Sequence, residues 1–258
     1  MLMLLSPAKR LVEGPAIAEL PATEPRMLDQ TARLLDRVRD LGPDDLKRLM
    51  GISDALATLN HERFQVLSLP FERDNARQAV RLFDGDVYRG LDAASLSEDD
   101  LRWAQDRVVI LSGLYGAVRP LDLLQPYRLE MGTRLDTDRG DDLYAFWGER
   151  ITERLNDGLA AQGDDIVVNL ASREYFTSVR TEALKARVIT PVFKDVSGGK
   201  ARIISFYAKK ARGAMVRWAV EHRAEGAEDL KACDALGYTF QADLSSDTEW
   251  MFTRPKPS

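Results

Sequence analysis

Three uninterrupted apolar runs constrain this chain more than any other feature: "LMLL" at 2–5, "VVIL" at 108–111 and "IVVN" at 166–169. Each is too short for a helix and lacks the apolar-polar alternation of a half-solvated strand, so each predicts a strand buried on both faces. Buried parallel strands need long crossovers, and the intervals between these runs hold amphipathic segments long enough to supply them. Further strands are expected at 65–69, 188–196, 201–206 and 250–253. Helices are expected at 24–41, 44–50, 54–60, 75–83, 98–105, 143–161 and 207–221. "VFKDVSGGKARIISF" predicts a β-hairpin turning at Ser197, Gly198 and Gly199. No repeat, low-complexity tract or Pro/Ser-rich linker interrupts the pattern. The expected fold class is α+β (mixed α/β), one compact domain over 1–258 with a mixed β-sheet core surrounded by helices.

The N-terminal "MLMLLSPAKR" has an apolar run too short for a membrane span or a secretory leader, with no basic region before it. No membrane association is expected. A single cysteine, Cys233, rules out an intramolecular disulfide and a cysteine-rich zinc site, so the cytoplasm is the expected compartment. A net charge of −5 argues against a protein basic over its whole surface, but a local basic cleft depends on where charges lie, not on their sum.

Several chemistries lack their signatures. Neither a Walker A nor a Rossmann phosphate loop occurs, so no nucleotide cofactor is expected. His61 and His222 are the only histidines and sit in different predicted helices, so a transition-metal site would have to lean on carboxylates, none is expected, and no Ser/His/Asp triad can be assigned. The acidic stretches "SEDD" and "DTDRGDD" read most simply as helix caps and solvated loops.

Four segments carry candidate chemistry. In "RLMGISDALATLN", Gly51 ends one short helix and Ser53 or Asp54 starts the next, making a tight helical hairpin. Backbone N–H groups at the second helix's start can hold phosphate, and Lys47 adds charge, so Lys47, Gly51, Ile52 and Ser53 are candidate DNA contacts. The turn resembles a helix-hairpin-helix motif with Ser53 in place of its second glycine. A plain helical hairpin packed on the core is the competing reading.

"LSGLYGAVRPLDLLQPYRLEMG" (111–132) follows a buried strand and is rich in glycine and proline, the position at which α/β sheets place their sites. Its Arg119 and Arg128 are suited to bidentate contact with phosphate or carboxylate, or alternatively pair with Asp122 and Glu130. "NLASREYF" (169–176) occupies a similar position, with Ser172, Arg173 and Glu174 as polar members or as a helix cap with an ion pair.

The fourth segment, "SFYAKKARGAMVRW" (205–218), lies in a stretch with no acidic residue between Asp195 and Glu221. On a helical wheel it is apolar over much of its circumference, so Lys209, Lys210, Arg212 and Arg217 are partly sheltered. Lys200 precedes them. Sheltered like charges require a compensating anion, supplied by a ligand or by distant carboxylates of the same chain.

Together, "MLMLLSPAK", "LSGLYGAVRPLDLLQPYRLEMG", "LYAFWGERIT", "NLASREYF" and "ISFYAKKARGAMVRW" resemble the bacterial peroxide stress protein YaaA family over nearly the whole chain. The resemblance implies a cytosolic protein of the hydrogen peroxide response that limits intracellular free iron and Fenton damage. It also implies binding of double-stranded or distorted DNA through a basic cleft, on a fold containing a helix-hairpin-helix element within 44–60. Cleft candidates are then Lys9, Lys200, Lys209, Lys210, Arg212 and Arg217, acting in a monomer without cofactor. The competing reading is an enzyme acting on a small anionic or nucleobase-like metabolite, its pocket built from the Lys9 loop, the 113–132 loop, "NLASREYF" and Lys209 to Arg212.

Overall fold

The computed structural model describes residues 1–257. Strand β1 (Leu2–Leu5) is buried at every position and lies at the centre of the main sheet. It pairs in parallel with β2 (Val108–Ser112) on one side and β4 (Ile166–Asn169) on the other, with Met3 opposite both Val108 and Val168. The sheet continues in parallel from β4 to β5 (Arg187–Ser197) and β8 (Glu249–Pro255). Antiparallel strands close its margins: β3 (Gly116–Val118) on β2, β6 (Lys200–Arg202) on the end of β5, and β7 (Thr239–Phe240) on β8. The result is a mixed sheet with helices packed against it, an α+β fold. The apolar runs are its central strands, as their uninterrupted character requires.

The connection from β1 to β2 carries α1 (Leu28–Arg39), α2 (Pro43–Met50), α3 (Asp54–Val66), α4 (Asp86–Leu91) and α5 (Glu98–Arg107). Beyond β3 come α6 (Leu143–Trp147) and α7 (Arg150–Gln162), which return the chain to the opposite side of β1. This reversal makes the C-terminal end of β1 a topological switch point, where neighbouring connections leave in opposite directions and open a crevice. After β4, Ser172 caps the one-turn α8 (Arg173–Phe176) by accepting from the Tyr175 N–H. The basic helix α9 (Ser205–Glu221) follows the β5–β6 hairpin, whose two turn residues Gly198 and Gly199 both have positive φ.

α9 is placed by α4. Cβ atoms added at Gly213 and Gly90 would meet the carbonyl oxygens of Val87 and Lys210 at 1.7 and 2.0 Å. Only glycine at both positions lets the two backbones approach this closely.

Four expected segments fold differently, the first two under tertiary control. The expected strand at 65–69 is instead the end of α3 and an irregular exit, because Arg39 from α1 satisfies the carbonyls of Phe64 and Leu67. The expected helix at 75–83 reduces to a single turn, Ala79–Leu82, flanked by two-residue strands. There the buried Gln78 amide bonds backbone groups of Ile17, Leu20 and Pro21, while Asp122 and Pro120 carbonyls accept from Ala79 and Val80. The expected helix at 143–161 divides into α6 and α7 at Gly148. Finally, the strand expected at 201–206 ends at Arg202, and Ser205 already belongs to α9.

Candidate functional site

The crevice at the switch point is a cavity of about 560 Å³. Its floor comes from the segments that leave the central strands: Ser6 to Arg10 after β1, and Leu170, Ser172, Glu174 and Tyr175 after β4. The loop beyond β3 contributes Tyr127 to Glu130, α4 with its approach contributes Asp84 to Arg89, and α9 contributes Lys209 and Arg212. Ser6 and Ser172 join the two strand ends directly, since the Ser172 N–H donates to Ser6 Oγ at 2.8 Å. Tyr88 OH donates to the Ser6 carbonyl at 3.0 Å and ties α4 to the same point.

Six cationic and four carboxylate side chains line the cavity. Glu130 lies between Lys9 Nζ at 2.7 Å and an Arg128 guanidinium nitrogen at 2.9 Å. Burial alone would raise the Glu130 carboxyl, but these two hydrogen-bonded cations outweigh it and hold the group below its ordinary value. Asp84 forms ion pairs with Arg10 at 2.8 Å and Arg89 at 3.3 Å, while Glu174 accepts from the Gly132 N–H at 3.0 Å. Lys209, exposed rather than sheltered, and the half-buried Arg212 are the cations left over. Neither makes an ion pair or side-chain hydrogen bond among the described residues, and burial lowers the Arg212 guanidinium from its usual value. Arg128 Nε is also buried without a partner.

The aromatic wall is chemically quiet. Burial raises the Tyr88, Tyr127 and Tyr175 phenols, which therefore stay neutral, and Tyr127 OH is 2.6 Å from Ser112 Oγ. Neither histidine lines the cavity, so the Ser6 and Ser172 hydroxyls have no imidazole base beside them. What the arrangement offers is a recess with two uncompensated cations, suited to hold an anion.

Of the residues singled out from sequence, the cavity brings together Lys9, Arg128, Ser172, Glu174, Lys209 and Arg212, whereas Arg173 is exposed outside it. Lys200 is exposed on the β5–β6 hairpin, and half-buried Lys210 presents its carbonyl to Gly90. Arg217 is engaged by the Asp92 carbonyl at 3.0 Å, Ser95 Oγ at 2.7 Å and Glu221 at 2.9 Å. Arg119 pairs with the buried Asp122 at 3.0 Å and lines a different cavity. Lys47, Gly51, Ile52 and Ser53 form the junction of α2 and α3: Gly51 is left-handed at φ 61°, Ile52 is buried, and Ser53 Oγ accepts from the Leu56 N–H. Lys47 bonds Asp54 across that junction at 2.7 Å, which raises its ammonium pKa. The two helices form a hairpin, a geometry that does not by itself make a nucleic-acid element.

Sequence reasoning missed "DGDVYR" (84–89), which supplies two carboxylates, Tyr88 and Arg89 to the cavity. Its signal was Gly90 immediately afterwards, a glycine inside a helical stretch that marks close backbone approach.

Comparison with known proteins agrees with the sequence resemblance. A family model described as "Peroxide stress protein YaaA" matches residues 1–244. The chain is 53% identical to a UPF0246 protein of Azoarcus sp. strain BH72, covering 98% of this chain and 99% of that one. It is 54% identical to one of Laribacter hongkongensis, with the same coverage, and 52% identical to one of Alteromonas mediterranea over the full length of both. Matched along nearly its whole length by model and relatives alike, the chain belongs to the peroxide stress protein YaaA family.

Proposed function

We propose that this protein is a DNA-binding member of the peroxide-stress response, engaging phosphates of duplex or distorted DNA at the mouth of the switch-point cavity. The supporting observation is that Lys209 and Arg212 face one recess without carboxylate partners, in a chain whose net charge is negative. A phosphodiester supplies the missing counter-charge, and contact made through phosphate carries little base information. The α2–α3 hairpin is the second contact in this reading, through N–H groups near Ile52 and Ser53. Binding by a cytoplasmic monomer would shield DNA during peroxide stress. In this reading the lowering of free iron is a downstream effect of DNA binding.

Fluorescence anisotropy with duplex and bubble DNA at several salt concentrations tests this reading. If about four phosphates are engaged, log K against log salt has a slope of roughly −3 to −4. Lys209→Ala with Arg212→Ala weakens binding to all sequences alike. A flat salt dependence, or unchanged affinity in the double variant, overturns the proposal.

A second reading is favoured by the cavity's place at the C-terminal ends of β1 and β4, where α/β sheets hold small ligands. In it the protein is an enzyme acting on a small anionic or nucleobase-like metabolite. Free mononucleotide that binds the wild type but not the double variant, in a protein without affinity for DNA, decides for this reading.

A further inference from the structure

At the other end of β1 lies a second recess of about 460 Å³, between α7 and the β1–β2–β3 part of the sheet. Leu2 lines it, whereas Ser6, just past the opposite end of the strand, lines the switch-point cavity. Its polar lining is dominated by four arginines, Arg26, Arg107, Arg119 and Arg154, against a single carboxylate, Asp106. Arginine is expensive to gather in this way, because each guanidinium keeps its charge at all physiological pH and repels the others.

The internal partners fall short of what the cluster needs. Arg119 pairs with Asp122, but that carboxylate is fully buried and also accepts from Thr23 and from the Arg119 N–H. Arg119 Nε is buried with no hydrogen-bond partner. Arg154 reaches only the exposed Asp157 at 3.2 Å, one turn along its own helix. Arg107 stacks on the Trp103 ring at 4.5 Å and has no carboxylate partner. Arg26 makes no hydrogen bond or ion pair among the described residues. Arg26 is exposed at the outer edge of the recess; partial burial lowers its guanidinium, the charges of Arg119 and Arg154 lower it further, and Asp122 and Asp106 offset only part of this.

We infer that this recess is a second, separate anion site that takes a small phosphorylated metabolite. Planar guanidinium forks match phosphate oxygens in pairs, and four of them around one recess suit a group bearing two or more negative charges. The recess has the volume of a small-molecule site, and the apolar side chains Leu2, Val109 and Leu155 border it beside the arginines. The inference does not depend on the reading of the switch-point cavity, with which this recess shares no residue.

The experiment uses inorganic pyrophosphate and the full chain carrying Lys209→Ala and Arg212→Ala, so that the first cavity's free cations are absent. Calorimetric titration is followed alongside the arginine side-chain Nε–H signals in NMR. Pyrophosphate is expected to bind and to shift the Arg119 Nε–H signal. Adding Arg26→Ala and Arg154→Ala is expected to weaken binding by at least about tenfold, in a protein whose circular dichroism and melting temperature show that it is folded. Three results overturn the inference: no pyrophosphate binding in the first variant, binding unchanged by the added substitutions, or a short DNA duplex shifting the Arg119 signal where pyrophosphate does not.

Discussion

Gly213 of α9 lies against the backbone of α4 so closely that a Cβ there would stand 1.7 Å from the Val87 carbonyl oxygen. Because that oxygen belongs to the backbone, no rotamer change relieves the overlap. α9 must therefore retreat if any side chain is introduced, taking Lys209 and Arg212 with it. Gly213→Ala is expected to destabilise the fold by about 3 kcal/mol or more, beyond the usual cost of one added methyl group. Urea denaturation measures it, and an unchanged midpoint would show that α4 and α9 are not locked together.

Glu130 acts as an internal counter-ion for Lys9 and Arg128, competing with any external anion. Glu130→Gln is expected to strengthen binding of DNA or a small anion at the cavity, measured by anisotropy or calorimetry.

The same carboxyl gives a pH signature. Its value is lower in the folded protein than in the unfolded chain, so its contribution to stability is fully present above about pH 4.3, the unfolded value. It is lost as pH falls through the folded value. The wild type should exceed Glu130→Gln in stability by about 1–2 kcal/mol at neutral pH, with the gap closing below pH about 4. Thermal melts of the two proteins across this range check the sign.

Arg254 is held between the rings of Tyr207 and Tyr238 and donates to Asp195 Oδ1 at 2.7 Å, while Tyr238 OH donates to Asp195 Oδ2 at 3.0 Å. Arg254→Met leaves a nearly fully buried carboxylate without its cation. The expected loss is about 3–5 kcal/mol, and converting Asp195 to Asn in the same chain should recover part of it. Chemical denaturation of the single and double variants tests the pair.

The Cys233 thiol is buried, and burial pushes it up to about 11. Modification by a thiol reagent at pH 8 should therefore be slow in the native protein and rapid after unfolding in denaturant, with one thiol released per chain. Rapid labelling without denaturant would contradict this placement.

Much of the fold was legible because its signals are local. Continuous apolar runs declare strands covered on both faces, and Ser53, Ser97 and Ser172 each cap the helix that follows them in sequence. Gly198 and Gly199 likewise specify their own hairpin. Segments 65–69 and 75–83 misled because their backbone partners come from elsewhere, from Arg39 and from Asp122 and Pro120. No window of sequence contains those partners. The candidate site divides along the same line: its loops were visible from their position after strands, whereas "DGDVYR" is brought there by long-range contacts, the pairing of Phe83 and Asp84 with Leu11 and Arg10 and the close approach of Gly90 and Gly213 between α4 and α9.

By itself the sequence determined the buried central strands, the serine caps and the Gly198–Gly199 turn, and that α9 carries cations on a largely apolar helix. Tertiary structure decided which of those cations are free. Arg217 found Asp92, Ser95 and Glu221, Lys9 and Arg128 found Glu130, and Lys209 and Arg212 found no carboxylate. Charge compensation depends on distance in space, and all but one of these partners lie outside α9, brought within reach or kept away by the way the chain folds.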